Sequence, residues 1–432
     1  MQKGMALSKT QINLGANFVG KGWTALLALV MTPLYLRFLG VESYGLIGCY
    51  SGLCAIFSVV DFGMGEAFCR ETARFFARNT LHVSVRTLEI LYWSLGALLS
   101  LTFILLAPWI SNYWLHGGYQ FDPERVCTIL RLMGVAFFFL WPQIFYSKGL
   151  LGLQAHLLNN LVLICGSSLR YCGSLAVLLW KPSLEAFFYW QIFSAFAHTA
   201  CIALSTWNKL PFYRMKVAFS REVFSHFWKF SLGMSAISVT SVLLQQMDKL
   251  LISHFFSFEA LGYYCFAYTI ASSLYYLIQP ILSYYYPLFI QCIENQDYSS
   301  LKSTYRTVYK LLLCLLAPTA LCLIFFGQKI VRLWTSDPHL AETCAPLISL
   351  LVVGILLNGF ASPSFYLQFA FGHTRPLLTI NLFSLALLTP LYGCLVYILG
   401  IKGVASFYIL LNLGYILFNI SYVSRKWALL YG

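Results

Sequence analysis

The stretch 243–256, LLQQMDKLLISHFF, places Asp248 beside Lys249 inside a run that is otherwise apolar. Three further bases, Lys21, Arg131 and Arg170, lie in similar runs, whereas Asp248 is the only one of the fifteen acids well inside one. An ionised group in hydrocarbon costs at least about 2.5 kcal/mol, so each must face a cavity, a partner or, by snorkelling, the interface. Snorkelling suits Lys21 and Arg131, which sits near the end of its run. It suits neither Arg170, in mid-run, nor the short Asp248. Four bases against one acid make a basic interior that repels cations and attracts an anion. Arginine forks match phosphate oxygens and lysine acts as a point charge, so the chemistry expected is recognition of a phosphate or pyrophosphate group.

The runs that carry these groups define the class. Of 432 residues, 59% are hydrophobic and 10% charged, whereas soluble domains are about a quarter charged. Apolar runs near 14–38, 44–60, 88–110, 126–147, 157–180, 186–206, 230–256, 262–285, 306–327, 344–371, 377–399 and 404–423 are long enough to cross a bilayer. The expectation is an all-α polytopic membrane protein with twelve spans. A net charge of +13 would suit nucleic acid if the bases formed one patch, but they fall in short loops, where they report orientation. Eighteen loop bases, from Lys3 to Lys426, share one side, against six (Arg37, Arg125, Lys181, Lys329, Arg332 and Lys402) on the other. Both termini are therefore expected in the cytoplasm, and the polar N-terminus MQKGMALSKTQ does not read as a signal peptide. Thirteen cysteines show no CxxC or Cys/His spacing for a metal and read as small hydrophobes.

The chain echoes itself. NLGA at 13–16 matches SLGM at 231–234, and FLGVESYG at 38–45 matches FFSFEALG at 255–262, with Glu42 and Gly45 aligned to Glu259 and Gly262. Six spans separate the copies, so two parallel six-helix repeats are expected, 1–207 and 208–432, with 207–229 as a basic connector and a site at their interface. On helical geometry Ser231, Ser235, Ser238, Ser241, Gln245, Asp248 and Lys249 share an arc of about 140°, and Asn13, Asn17, Lys21 and Thr24 one of about 80°. Such stripes either line a wet cleft or glue helices together. Tyr264, Tyr268, Ser272, Tyr275 and Gln279 form a third stripe, suited to stacking on sugars or to packing.

TPLYLRFLGVESYGL (32–46), DFGMGEAFCRETAR (61–74), KGLLGLQAH (148–156), QQMDKLLISHFFSFEALGYY (245–264) and YYPLFIQ (285–291) resemble the bacterial O-antigen and polysaccharide flippases of the MOP superfamily, which share the MATE-like fold. The resemblance implies two six-helix lobes around a central cavity in the bacterial inner membrane. It implies translocation of an undecaprenyl-pyrophosphate-linked oligosaccharide of lipopolysaccharide synthesis, with membrane lipids, a polysaccharide polymerase and chain-length proteins as partners. Lys21 and Arg170 match the family's pyrophosphate-binding bases by position, with Lys249, Arg131, Asn17, Tyr268 and Tyr275 as further substrate-binding candidates. Asp248 matches an acid that contributes to a sodium site in the peptidoglycan-precursor branch, with Asn381 and Asn412 as partners. The branch's second acid, on the eleventh helix, is missing here.

The mechanism expected is alternating access in a transporter, not an enzyme, with no cofactor and no nucleic acid. No GxxxxGK[ST] is present, which leaves a Na+ or H+ gradient to drive it through Asp248. Two rivals are a drug or cation antiporter of the same fold, disfavoured by the basic interior, and a membrane polymerase or ligase, disfavoured by short outer loops. Neighbouring helical residues point about 100° apart, so Asp248 and Lys249 are not expected to face one another. A partner for Asp248 on another helix, such as Arg170, is the structural alternative.

Overall fold

A computed structural model describes residues 2–59, 61, 63–73, 81–114, 122–210, 239–372 and 375–431. Side chains are described within those stretches from 19 to 419, apart from Val59, Arg70, 81–84, 375–377 and 388–389. The described chain is helical, without strands. That is the outcome hydrocarbon demands, because a helix satisfies its backbone polar groups within one segment. The helices are α1 (Gln2–Val59), α2 (Met64–Ala73), α3 (Leu81–Trp109), α4 (Pro123–Leu140), α5 (Pro142–Gly152), α6 (His156–Trp180) and α7 (Leu184–Lys209). They continue as α8 (239–255), α9 (Phe258–Ala271), α10 (Tyr275–Glu294), α11 (Tyr298–Thr335), α12 (Pro338–Ala370), α13 (Arg375–Leu399) and α14 (Ile401–Tyr431).

Where its residues are described, each of the twelve apolar runs is helical, with 126–147 divided between α4 and α5 and 262–285 between α9 and α10. Among the described residues nine helices are long and apolar enough to cross a membrane, and a bent pair within α13 makes ten. The first of these, Val19–Ser58, holds two runs joined at Gly40, whose φ of 80° and ψ of 167° are open to glycine but strained for other residues. The bend is therefore at Gly40 and not at Pro33, which the helix absorbs.

Local chemistry sets the other boundaries. Pro142, lacking an N–H, begins α5 where α4 ends. Ser183, Ser257, Asp297 and Asp337 cap α7, α9, α11 and α12 by accepting backbone N–H groups. At Asp297, outside the spans, the donors of Ser300 hold the carboxyl down to about 2. Large apolar side chains such as Leu105 and Phe325 are exposed, as lipid-facing residues must be, and Trp109, Tyr113 and Trp180 are exposed at helix ends, where amphipathic rings anchor at the interface.

The chain divides into two compact units: Met1–Ser43, Cys49–Val239 and Ser253–Phe255 form the first, and Tyr44–Gly48, Thr240–Ile252 and Phe256–Gly432 the second. The expected connector 207–229 lies largely outside the described residues, as do the side chains of the echo 13–16/231–234.

Unit 1 has an aromatic core in which Phe68 stacks on Phe145 at 4.1 Å and Tyr92 packs against Trp141. Beside it lies a buried acid, Glu89, at the start of the run 88–110. Its Oε1 accepts from Tyr146 Oη at 2.6 Å and Trp207 Nε1 at 2.8 Å, while Oε2 accepts from Arg86 Nη1 at 2.6 Å. Asp248 is thus not the only acid buried among apolar residues: α5 and α7 bring a tyrosine and a tryptophan to Glu89 from 57 and 118 residues away.

In unit 2, α12 is the central helix, with Val352 and Ile355 fully buried and α11 and α14 packed along it. The segment Tyr44–Gly48 of α1 belongs to this unit. A Cβ at Gly45 would lie 2.2 Å from the Phe258 carbonyl oxygen and 3.0 Å from Gly262 N. Gly45 and Gly262 are the positions matched by the internal echo, and here they meet backbone to backbone. Tyr44 and Thr269 hydroxyls, 3.2 Å apart, secure the same crossing.

Candidate functional site

Each unit carries a group of buried and half-buried polar side chains. In unit 1, α6 sets His156, Asn160, Ser167, Arg170 and Ser174 at intervals of four, seven, three and four residues, within an arc of about 80°. This stripe faces α1. Gly20 abuts Asn160, Thr24 and Ser167 hydroxyls lie 3.3 Å apart, and Tyr35 donates to the Tyr171 carbonyl at 2.9 Å.

Arg170 is held rigidly. Its Nε donates to Gln191 Oε1 on α7 at 3.0 Å, Gln191 Nε2 donates to Ser174 Oγ at 3.1 Å, and Ser174 Oγ donates back to the Arg170 carbonyl at 2.6 Å. The guanidinium carbon lies 5.5 Å from the Tyr171 ring centroid. Among the described residues no carboxylate pairs with Arg170. Lys21 on α1 and Arg131 on α4 are both exposed, and the Asn17 side chain lies outside the described residues.

In unit 2, Asp248 and Lys249 are both nearly buried on α8 and face different partners. Asp248 Oδ2 accepts from Tyr264 Oη at 2.6 Å and Oδ1 from the Lys249 backbone N–H at 2.7 Å. Lys249 Nζ donates to Gln246 Oε1 at 2.7 Å and sits 4.3 Å from the Tyr268 ring centroid. Asn381 on α13 joins the same helix by donating to Ser241 Oγ at 2.7 Å, and accepts from Tyr415 Oη at 2.8 Å. Asn412 on α14 accepts from Asn358 and donates to the Tyr408 carbonyl, both at 2.8 Å, and the Tyr408 and Tyr275 hydroxyls are 2.5 Å apart. Both asparagine side chains are thus engaged with partners other than Asp248. The partner of Asp248 is Tyr264 on α9, and that of Arg170 is Gln191. Of the polar arc expected on this helix, Ser231, Ser235 and Ser238 lie outside the described residues.

The tyrosine stripe is interrupted: a 3-10 turn at Ser272–Leu274 separates α9 from α10. Tyr264, Tyr268 and Tyr275 nevertheless all join the buried network, while Gln279 is exposed. The α6 stripe was readable from its 3.6-residue periodicity. Gln191 was not, because nothing local to α7 marks it as the partner of a base 21 residues earlier. Among the described residues no group of histidine, cysteine and carboxylate side chains could hold a metal ion.

The fold has solved relatives. An inward-facing multidrug-resistance MATE family transporter of the MOP superfamily superposes with a TM-score of 0.76 at 16% identity, over 94% of this chain and 95% of that one. The lipid II flippase MurJ in an inward closed conformation gives 0.72 at 14% identity, over 94% and 87%. An uncharacterised membrane protein of Methanocaldococcus jannaschii is 22% identical over 343 residues, 74% of this chain and 66% of that protein, so the match spans just under two thirds of its length. A profile of polysaccharide biosynthesis proteins matches residues 34–341. The chain is therefore a multi-pass membrane protein that belongs to the polysaccharide biosynthesis protein family and has the fold of the MOP superfamily transporters.

Proposed function

We propose that this protein is a flippase that carries an undecaprenyl-pyrophosphate-linked oligosaccharide, of the O-antigen kind used in lipopolysaccharide, from the cytoplasmic to the periplasmic leaflet of a bacterial inner membrane by alternating access. The observation that carries this reading is Arg170: a guanidinium held inside a membrane-spanning unit of a polysaccharide-biosynthesis chain, with an amide and a hydroxyl as its orienting partners and, among the described residues, no carboxylate to neutralise it. Such a group favours an anionic substrate over a cationic drug, which sets this reading above the antiporter alternative. Lys21, Arg131 and Asn17 are the accessory groups for the phosphates. Tyr268 and Tyr275 contribute less directly than a free stacking surface would, since Tyr268 underlies Lys249 and Tyr275 bonds Tyr408. Lys249 itself acts through the network of Gln246 and Tyr268. The positive-inside bias supports cytoplasmic termini, and polymerase and chain-length proteins are the partners such a product requires.

The test is flipping of a defined lipid-linked oligosaccharide in vesicles. Arg170→Gln is expected to reduce the rate at least tenfold with membrane insertion intact, while Lys21→Gln and Arg131→Gln, both exposed, give graded losses. Unchanged flipping in all three variants would sink the reading.

Energy coupling is assigned to Asp248, with a Na+ or H+ gradient as the source and Asn381 and Asn412 as supporting groups. The 2.6 Å bond to Tyr264 gives the carboxylate a partner that protonation or cation binding would rearrange. Asp248→Asn is expected to remove the dependence of flipping on the imposed gradient; a variant still fully responsive to both pH and sodium gradients overturns the assignment.

A further inference from the structure

A helix face turned to lipid is apolar, because hydrocarbon offers no partner to an amide or a hydroxyl. The exposed side chains in the middle of α6, α7 and α11 follow this rule, with Leu161, Phe193, Phe196, Leu321 and Phe325 among them. Those of α10 do not. Tyr276, Gln279, Ser283, Tyr284, Pro287 and Gln291 are all exposed and fall within an arc of about 140°. Ile278, Leu282 and Phe289 are buried on the other side of the helix. Gln279 lies near the middle of the span Phe258–Glu294, too deep for so short a side chain to snorkel to the interface. A face of this composition belongs against water inside the membrane, not against lipid.

The face is also uncharged. Between Glu259 and Glu294 the chain has no acid, lysine, arginine or histidine, so nothing on it selects an anion or a cation. What it presents is two phenol rings, 51% exposed at Tyr276 and 68% at Tyr284, beside two amides and a hydroxyl that both donate and accept. Pro287 adds an acceptor, because it has no N–H to close the helical bond to the Ser283 carbonyl. Tyr285 braces Tyr284 edge-on, with ring centroids 5.0 Å apart, so that ring is presented with little freedom left to lose on binding. Rings set among uncharged donors and acceptors match a sugar, whose C–H face stacks and whose hydroxyls bond. Tyr276 and Tyr284 are separated by about 12 Å along the helix axis, a reach that suits a chain of sugars better than a single one.

We propose that this face of α10 is a carbohydrate track in unit 2 for the neutral sugars of the transported glycan. Tyr276 and Tyr284 stack on the sugar rings, and Gln279, Ser283 and Gln291 exchange hydrogen bonds with their hydroxyls. The track is separate from the bases assigned to the phosphates, and from Tyr264, Tyr268 and Tyr275, which are engaged within the protein. It rests on the flippase reading for its occupant, and the match to polysaccharide biosynthesis proteins, over residues 34–341, takes in the whole of α10.

The test is cysteine labelling of the full-length protein in lipid nanodiscs with a sulfonated, lipid-insoluble maleimide, read as label gained over wild type. Ser283→Cys is expected to react about tenfold or more faster than Leu321→Cys on the apolar face of α11, because the reactive thiolate forms only where water reaches it. Equal rates would put the α10 face in lipid or against a second copy of the chain and overturn the track. Chitotriose, maltotriose and mannotriose are then added as neutral probes, and sodium pyrophosphate as an anionic one. At least one trisaccharide is expected to slow the labelling of Ser283→Cys about threefold or more by covering the thiol, and pyrophosphate to leave it unchanged. Protection by none of the three, or equal protection by pyrophosphate, overturns the proposal. In the same background Gln279→Leu should raise the half-protecting concentration about two- to tenfold, the loss of one hydrogen bond. Tyr284→Phe should keep the protection and Tyr284→Leu weaken it, since stacking needs the ring; protection indifferent to both Gln279→Leu and Tyr284→Leu also overturns the track. If no trisaccharide protects but vesicles flip lipid-linked oligosaccharide, the track falls and the flippase reading stands. If a trisaccharide protects with the expected sensitivities but no lipid-linked substrate is flipped, the track stands as a glycan site and the flippase reading falls.

Discussion

Glu89→Ala is expected to destabilise unit 1 by about 3–5 kcal/mol, the usual cost of removing one member of a buried, hydrogen-bonded charge network. The carboxylate is the acceptor on which Arg86, Tyr146 and Trp207 converge from α3, α5 and α7. Without it the Arg86 guanidinium loses its ion pair, and a tyrosine hydroxyl and a tryptophan N–H lose their acceptor. Glu89→Gln separates these effects, because the amide oxygen can still accept from Tyr146 and Trp207 while Arg86 loses the opposite charge of Glu89. Its loss should fall between wild type and Glu89→Ala. The double variant Arg86→Ala/Glu89→Ala should lose less than the sum of the two single variants, since the pair is in direct contact. Thermal unfolding in detergent measures all of these; a Glu89→Ala protein that melts with wild type would show that the network holds nothing together.

The second large effect is expected at Gly45. An alanine there puts its Cβ 2.2 Å from the Phe258 carbonyl oxygen. Because the obstacle is backbone, no rotamer change relieves it, and α1 and α9 must separate within unit 2. Overpacking of this kind costs typically about 1–3 kcal/mol and sometimes more, so Gly45→Ala should lose most of its folded yield on extraction. Gly414→Ala is the control, since a Cβ there meets nothing within 4 Å, and it should change stability by less than about 1 kcal/mol. Equal yields of the two variants would mean that the helix crossing tolerates separation, contrary to its close backbone approach.

Much of the architecture was legible in the residue order, for a reason specific to membranes. Hydrocarbon excludes unsatisfied backbone, so each long apolar run had to be helix, and the described residues of each are helical. The separation of Asp248 from Lys249 was legible too, because the 3.6-residue period points neighbours apart. Their partners were not: Tyr264 lies on the next helix, and Tyr268 serves as a platform for an ammonium, where sequence spacing left sugar stacking and packing both open. The echo of 38–45 in 255–262 marked Gly45 and Gly262 as equivalent, yet gave no sign that the two would touch.

What the sequence alone determined, then, is what depends on composition and local period: the membrane as solvent, the helical runs, the orienting charges and the polar stripes. Tertiary structure decided which polar atoms are satisfied. Glu89, at the edge of an apolar run, becomes a hub because α5 and α7 supply donors, while Arg170, in the middle of one, meets an amide oxygen from α7 and, among the described residues, no carboxylate. Whether a charge within an apolar run finds an opposite charge depends on side chains brought from distant parts of the chain, and no local pattern encodes them.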